Sequence, residues 1–178
     1  FSEGDKLVIF SKNRIEMLQL ELALMASGGV AVPIFYNYNQ EIAESLITES
    51  DSVFIAAGDE KQLGKLSPDL NVKHFFVLDD VKDRRLNNLS HFSELLKESP
   101  GKENILKFDA GQNDVCLNMF TSGTMGSQKC VQITHGNILS QQAAVKVLLG
   151  VNENDRFLSY LRWHHSFGGI FSKSNLTC

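Results

Sequence analysis

The residues best suited to chemistry lie in a short loop between two apolar stretches, Val115 to Phe120 and Val131 to Ile133. The loop collects hydroxyl side chains and glycines and ends in a lysine: Thr121, Ser122, Gly123, Thr124, Gly126, Ser127 and Lys129. Glycine lets successive backbone N–H groups point toward one anion, hydroxyls add donors, and a lysine adds a positive charge suited to phosphate. The pattern favours polyphosphate binding, while Gly/Ser/Thr clusters between strands also form ordinary turns.

The spacing excludes two other phosphate-binding loops. The G-x-x-x-x-G-K-[ST] pattern of a Walker A loop is absent. The dinucleotide-binding pattern G-x-G-x-x-G is also absent, and the loop is followed by a predicted strand where that motif requires a helix.

The order of the loop residues resembles a known family signature. Phe120-Thr-Ser-Gly-Thr-x-Gly-x-x-Lys-x-Val131, followed by Thr134-His-x-Asn137, is similar to the signature loop of adenylate-forming enzymes. That family includes acyl-CoA synthetases, luciferases and the adenylation domains of peptide synthetases, and its loop handles the phosphates of ATP. The loop of this chain departs from the family pattern at three positions, where a threonine, a proline and a glycine are replaced by Met125, Gln128 and Cys130.

The resemblance extends to both sides of the loop. The segment from Gly4 to Leu66 resembles the N-terminal part of acyl-CoA synthetases, including an Asn-Arg-x-Glu motif at residues 13–16. Its sequence is most similar to the long-chain fatty acyl branch of the family. Leu161 to Gly168 resembles the family's Leu-Pro-x-x-His-x-x-Gly motif beside the acyl pocket. Arg162 stands where that motif has proline.

The resemblance implies a function and a set of site residues. It implies ATP-dependent activation of a carboxylic acid, nearest to a long-chain fatty acid, to an acyl-adenylate and then an acyl-CoA, with Mg²⁺ assisting and coenzyme A as co-substrate. It implies catalytic roles for Lys129 and His165. The implied phosphate contacts are Thr121, Ser122, Gly123, Thr124, Gly126 and Lys129.

Two alternatives remain at this point. Other branches of the family, the aryl-CoA ligases and the amino-acid adenylation domains, share the loop. A truncated, non-catalytic remnant that binds a nucleotide or a protein partner belongs to a different class, and the loop departures and Arg162 favour it.

The ends of the sequence suggest an incomplete domain. The chain begins at Phe1 and not at methionine, and residues 172–178 predict neither a helix nor a strand. We expect residues 1–178 to be part of the N-terminal AMP-binding domain of a longer protein, without the C-terminal domain and its catalytic lysine. We expect this part alone to be inactive.

Composition limits the classes of binding partner and the cellular location that we expect for the protein. The net charge of -4, with both signs interspersed, argues against a nucleic-acid surface. Three cysteines without close spacing favour a reducing, cytoplasmic location. The uncharged, mostly apolar stretch from Leu22 to Phe35 is too short to span a bilayer. Peripheral membrane contact, oligomeric state and acyl-chain length stay open.

No metal site is expected in this chain. His164 and His165 are adjacent, and adjacent side chains diverge on a strand. Neither Cys nor His lies at zinc-ligand spacing nearby.

The rest of the chain alternates strand and helix patterns. Strands are predicted at residues 6–10, 30–34, 52–56, 74–78, 115–120 and 131–133. Helices are predicted from Ile15 to a stop at Gly28 and Gly29, from Asn39 to Glu49, at residues 60–66, from Ser90 to Glu98, and from Thr134 to about Leu149, with residues 100–111 as a linker. In the first helix, Ile15, Leu18, Leu22 and Met25 recur at helical spacing. The expected N-caps are Ser11 or Asn13 for the first helix, and Asn39, Ser90 and Thr134 for three of the others. This alternation predicts an α/β fold with a mostly parallel sheet flanked by helices, the first part of a larger domain.

Overall fold

The computed structural model describes residues 2–82, 85–86, 88–97, 109–122, 128–150, 152, 154–156 and 158–164. The chain divides into two compact units, residues 1–109 and residues 110–178. The described elements of the first unit are β1 (Lys6–Ser11), α1 (Ile15–Ala26), β2 (Val30–Phe35), α2 (Gln40–Glu49), β3 (Phe54–Ala57), α3 (Glu60–Leu63), β4 (His74–Val77), β5 (Leu89–His91) and α4 (Phe92–Leu95).

The first unit is built on a parallel sheet with the strand order β5-β4-β3-β1-β2. The central strand β1 pairs with β2 from Lys6 opposite Val30, and with β3 from Leu7 opposite Phe54. Crossover helices cover both faces of such a sheet, so its inner strands are continuously apolar. All of β1 except Lys6, and all of β2 except Phe35, is buried. The predicted parallel α/β fold is confirmed.

The first helix shows where the periodicity was wrong. Of the four apolar residues that recur at helical spacing, Ile15 and Leu22 are exposed. The buried residues of α1 are Met17, Leu18, Leu20, Glu21, Leu24 and Met25. The predicted stop is confirmed, because Gly28 takes a left-handed φ of 76° and the Gly29 N–H bonds the Leu24 carbonyl oxygen at 2.8 Å.

The first two helices differ in whether a side chain caps their N-terminus. The expected cap of α1 at Ser11 or Asn13 is wrong, because the residue before the helix is Arg14, whose side chain makes no capping hydrogen bond. At α2 the prediction is confirmed, since Asn39 Oδ1 accepts a hydrogen bond from the Ile42 N–H at 3.0 Å.

The region around residue 90 corrects the prediction of one helix from Ser90 to Glu98. Residues Leu89–His91 form the edge strand β5, paired in parallel with β4, and the helix that follows covers only Phe92–Leu95. Ser90 does not cap it, because its hydroxyl bonds His74 Nε2 on β4 at 2.9 Å. The His91 N–H bonds Glu94 Oε2 at 3.0 Å instead.

The second unit contains an antiparallel pair of strands and a long helix: β6 (Val115–Ser122), β7 (Gln128–Thr134) and α5 (His135–Leu149). A register irregularity between Val115 and Leu117 inserts an extra residue at the start of β6. Among the described residues of the chain, none of the helices is both long enough and apolar enough to cross a membrane.

Candidate phosphate-binding site

The β6–β7 hairpin places two of the predicted phosphate contacts side by side. The register pairs Thr121 of β6 with Lys129 of β7, and the Thr121 hydroxyl donates to the Lys129 carbonyl oxygen at 3.5 Å. Directly opposite residues on antiparallel strands point to the same face of the hairpin. A hydroxyl donor and an ammonium group therefore share one face at the mouth of the loop 123–127.

The same register separates Ser122 from this pair. Ser122 pairs with Gln128 in the register, one position beyond the Thr121–Lys129 pair. The phosphate contact of Ser122 stays a prediction.

The base of the hairpin is anchored in apolar packing. Leu117 and Met119 share the face of Thr121 and are buried, whereas Lys129 and Cys130 are exposed. Because Met119 and Leu117 are packed in the core, they fix the part of β6 that carries Thr121. This arrangement keeps Thr121 and Lys129 at the edge of the core.

Several predicted site residues lie outside the described residues: Gly123, Thr124, Gly126, Ser127, His165 and Gly168. Their roles stay predictions. Of the second motif, the structure describes residues 161–164, where Arg162 is exposed and the Trp163 indole N–H donates to Ser159 Oγ at 2.8 Å.

A capped turn joins β7 to α5. The Thr134 hydroxyl accepts from the Asn137 N–H at 3.2 Å, and Asn137 Oδ1 accepts from the Thr134 N–H at 3.0 Å. These reciprocal bonds satisfy donors that a helix start leaves unpaired. The prediction of Thr134 as the N-cap is confirmed.

The start of α5 is also tied to the segment before β6. The N–H groups of His135 and Gly136 donate to the carbonyl oxygens of Asp114 at 3.0 Å and Gln112 at 2.8 Å. A Cβ on Gly136 would lie 2.8 Å from that Gln112 oxygen, so this position requires glycine. Sequence reasoning missed Gly136, although a glycine inside a first helical turn is a signal of close backbone approach.

A second polar centre, which sequence reasoning did not predict, lies where β1, β3 and β4 end in the first unit. Arg14 donates through Nε and Nη2 to both carboxylate oxygens of Glu16, at 2.8 and 3.0 Å. Its Nη1 also donates to Asp79 Oδ1 at 2.7 Å and to the Gly58 carbonyl oxygen at 3.2 Å. One guanidinium thus ties the loops after three parallel strands, at the carboxyl edge where α/β proteins bind ligands.

The charges of this centre stabilise one another. The hydrogen bonds from Arg14, followed by the Glu16 backbone N–H, lower the pKa of the Glu16 carboxyl from 4.5 to about 2. The bond to Glu16 raises the pKa of Arg14 above its ordinary value. We call Arg14, Glu16 and Asp79 the Arg14 cluster.

A lysine fixes the turn after β2 at the same edge of the sheet. Lys65 Nζ donates to the carbonyl oxygen of Tyr38 at 2.6 Å and lies 5.3 Å from the ring centre of the buried Phe10. Burial, followed by repulsion from Lys61, lowers the pKa of Lys65.

The described residues hold no grouping of three His, Cys, Asp or Glu side chains able to bind a metal ion.

Comparison with solved structures establishes the class of fold. The crystal structure of ATP-bound MatB from Rhodopseudomonas palustris superposes on 98% of this chain and 33% of its own, with a TM-score of 0.81 and 19% sequence identity. The fold is that of the N-terminal domain of an adenylate-forming enzyme.

Sequence comparison names the family. The AMP-binding enzyme family matches residues 1–173, and the chain belongs to that family. It is 28% identical to fatty acyl-CoA synthetase A of Dictyostelium discoideum over 179 residues, covering 93% of this chain and 26% of that protein. It is 26% identical to a 2-succinylbenzoate–CoA ligase of Oceanobacillus iheyensis over 168 residues, covering 94% of this chain and 31% of that protein. The chain thus spans about a quarter to a third of the length of these relatives.

Proposed function

We propose that the protein carrying this chain uses ATP to activate a carboxylic acid, first to an acyl-adenylate and then to an acyl-CoA. The observation that carries the proposal is the Thr121–Lys129 pair, which brackets the glycine- and hydroxyl-rich loop in a member of the AMP-binding enzyme family. In this proposal the chain supplies the phosphate-binding loop and part of the acyl pocket.

The first step needs charge stabilisation more than covalent chemistry from the protein. A carboxylate oxygen attacks the α-phosphorus of ATP, a P–O bond forms, and the bond to the β-phosphate oxygen breaks with release of pyrophosphate. Negative charge accumulates on the departing pyrophosphate. Lys129 offsets that charge, and the Thr121 hydroxyl exchanges its bond to the Lys129 carbonyl oxygen for a hydrogen bond to a phosphate oxygen. Ser122, Gly123, Thr124 and Gly126 complete the proposed phosphate contacts.

The second step transfers the acyl group. The thiolate sulfur of coenzyme A attacks the carbonyl carbon, a thioester forms, and AMP leaves with the mixed-anhydride oxygen. We assign His165 to the wall of the acyl pocket, with the neighbouring residues 161–164. The test of His165 is a change in acid preference on His165→Ala, separate from the loss of exchange expected at Lys129.

Magnesium enters the proposal as a substrate-bound ion. The described residues offer no cluster of carboxylates for it, so we assign no ligand of Mg²⁺ to them and no step to the ion. When bound, the ion neutralises phosphate charge.

A fatty acid is the substrate that we propose, and the name of the Dictyostelium relative supports it. An aryl acid is the second candidate, because the Oceanobacillus relative is named for an aryl substrate at nearly the same identity. A panel of fatty, aryl and amino acids in an ATP–pyrophosphate exchange assay separates them. Exchange with palmitate but not with benzoates supports the fatty acid, and the reverse order replaces it with the aryl acid.

We propose further that residues 1–178 alone do not complete the reaction. The purified chain should form no acyl-CoA from ATP, palmitate and coenzyme A. Formation of thioester by the chain alone would refute this. Weak nucleotide binding without exchange, in the natural product itself, would favour the non-catalytic remnant.

A further inference from the structure

A cleft of about 310 Å³ opens in the first unit, where the chain enters β3 and β4. Its apolar lining consists of Ile47, Val53, Leu70 and Val72, and the charged side chain among the described lining residues is Asp51. We call this the Asp51 cleft. Its volume is at the lower end of the range for small-molecule sites. It lies at the amino ends of the strands, whereas the Arg14 cluster lies at their carboxyl ends.

The charges around Asp51 favour a cation in the cleft. α2 ends at Glu49, and the C-terminus of a helix carries partial negative charge that basic side chains commonly offset. α2 is described in full, and its last turn has no basic residue. Asp51 adds a full negative charge just beyond this helix end.

Lys6 only partly offsets the charge of Asp51. Its Nζ lies 3.6 Å from Asp51 Oδ2, and the side chain of Asp51 is 87% exposed. A surface ion pair of this kind contributes little stability. An ammonium group that also gains apolar contacts can therefore replace Lys6 beside the carboxylate.

The backbone at Asp51 does not require an aspartate. Asp51 has a left-handed φ of 53°, and the N–H groups of Asp51 and Ser52 donate to the carbonyl oxygens of Thr48 and Ile47 at 3.0 and 3.3 Å. This hydrogen-bond pattern closes the C-terminus of α2, and its left-handed position is most often glycine. Glycine or asparagine would fit the backbone at least as well. The fold therefore leaves the carboxylate of Asp51 to serve another purpose.

The lining of the cleft indicates the class of ligand. The described residues hold no group of three side chains able to bind a metal ion, and the cleft offers one carboxylate beside four apolar side chains. We propose that the Asp51 cleft binds a small primary amine, whose ammonium group pairs with Asp51 and whose apolar body packs against Leu70 and Val72. This site takes no part in the proposed reaction, so each proposal can fail without the other.

Titration of the full 178-residue chain with benzylamine, followed by ¹H–¹⁵N NMR, tests the proposal. The amide signals of residues 51–53 and 70–72 should shift together and saturate with a Kd on the order of 1 mM, as expected for so small a ligand. Benzyl alcohol, which lacks the charge, and magnesium chloride, which lacks the apolar body, should not produce these shifts. Shifts that do not saturate, or equal shifts with benzyl alcohol or magnesium chloride, would overturn the proposal.

Three substitutions test the assigned partner of the ammonium group. Asp51→Asn suits the left-handed backbone and should weaken benzylamine binding about tenfold. The matched control Glu41→Gln removes a charge from the first turn of α2, away from the cleft, and should bind as the wild type does. Lys6→Met should tighten binding, because it removes the ammonium group that competes for Asp51. Unchanged affinity in Asp51→Asn, an equal loss in Glu41→Gln, or no gain in Lys6→Met would contradict pairing with Asp51.

Discussion

Replacing Glu16 by glutamine removes one charge from the Arg14 cluster while keeping the shape of the side chain. The pKa of the Glu16 carboxyl is about 2 in the folded chain, against an ordinary value of 4.5. The difference between 4.5 and 2, at about 1.36 kcal/mol for each pKa unit, gives an upper value of about 3.4 kcal/mol. Solvent screens the pair, because the side chains of Arg14 and Glu16 are 27% and 26% exposed. We therefore expect Glu16→Gln to cost about 1–2 kcal/mol at pH 7.

The sign of the pH dependence follows from the lowered pKa of Glu16. A carboxyl that is more acidic in the folded state stabilises the fold above its unfolded pKa, and the contribution disappears as the pH falls. The difference between wild type and Glu16→Gln should therefore be full above about pH 5 and should shrink from pH 4.5 toward pH 2.

Urea unfolding followed by circular dichroism at 222 nm measures this difference. The 178-residue chain, Glu16→Gln and the exposed control Glu3→Gln are compared at pH 7, 4.5 and 2.5. Equal midpoints for Glu16→Gln and wild type at pH 7 would refute the reasoning. So would a difference that stays constant down to pH 2.5.

Three further predictions concern other contacts. Thr134→Ala removes the N-cap of α5 and should destabilise the chain by about 1 kcal/mol in urea unfolding, whereas Thr134→Ser should retain most of the stability. Gly136→Ala forces a Cβ toward the Gln112 oxygen and should cost about 1–3 kcal/mol in the same assay, and an unchanged midpoint would contradict the close approach. Burial lowers the pKa of His74 from 6.5, so the folded state favours the neutral ring and stability should fall as the pH drops below 6.5. His74→Gln should reduce the slope of stability against pH between pH 7 and 5. An unchanged slope would show that other groups cause the pH dependence.

The alternating strand and helix patterns predicted most of the fold because each pattern depends on residues close together in sequence. The buried runs of β1 and β2 and the Asn39 and Thr134 caps are such local signals. The miss at Ser90 has a long-range cause, since its hydroxyl bonds His74, sixteen residues earlier, and β5 gains its pairing from β4.

The Arg14 cluster could not be predicted for the same reason. Its acceptors Gly58 and Asp79 lie 44 and 65 residues away in sequence, and only the parallel order of β1, β3 and β4 brings them together. At the candidate site, the sequence pattern predicted a group of donors. Only the strand register shows that Thr121 and Lys129 share a face.

The measurement that tests the central claim most directly is ATP–pyrophosphate exchange by the natural product, with and without palmitate. We expect exchange that depends on the fatty acid. Lys129→Ala should slow it about 100-fold through lost charge stabilisation, while Lys97→Ala, an exposed lysine in the first unit, should leave it unchanged. Exchange that is absent with every acid tested, or that is equally fast in Lys129→Ala, would contradict the account.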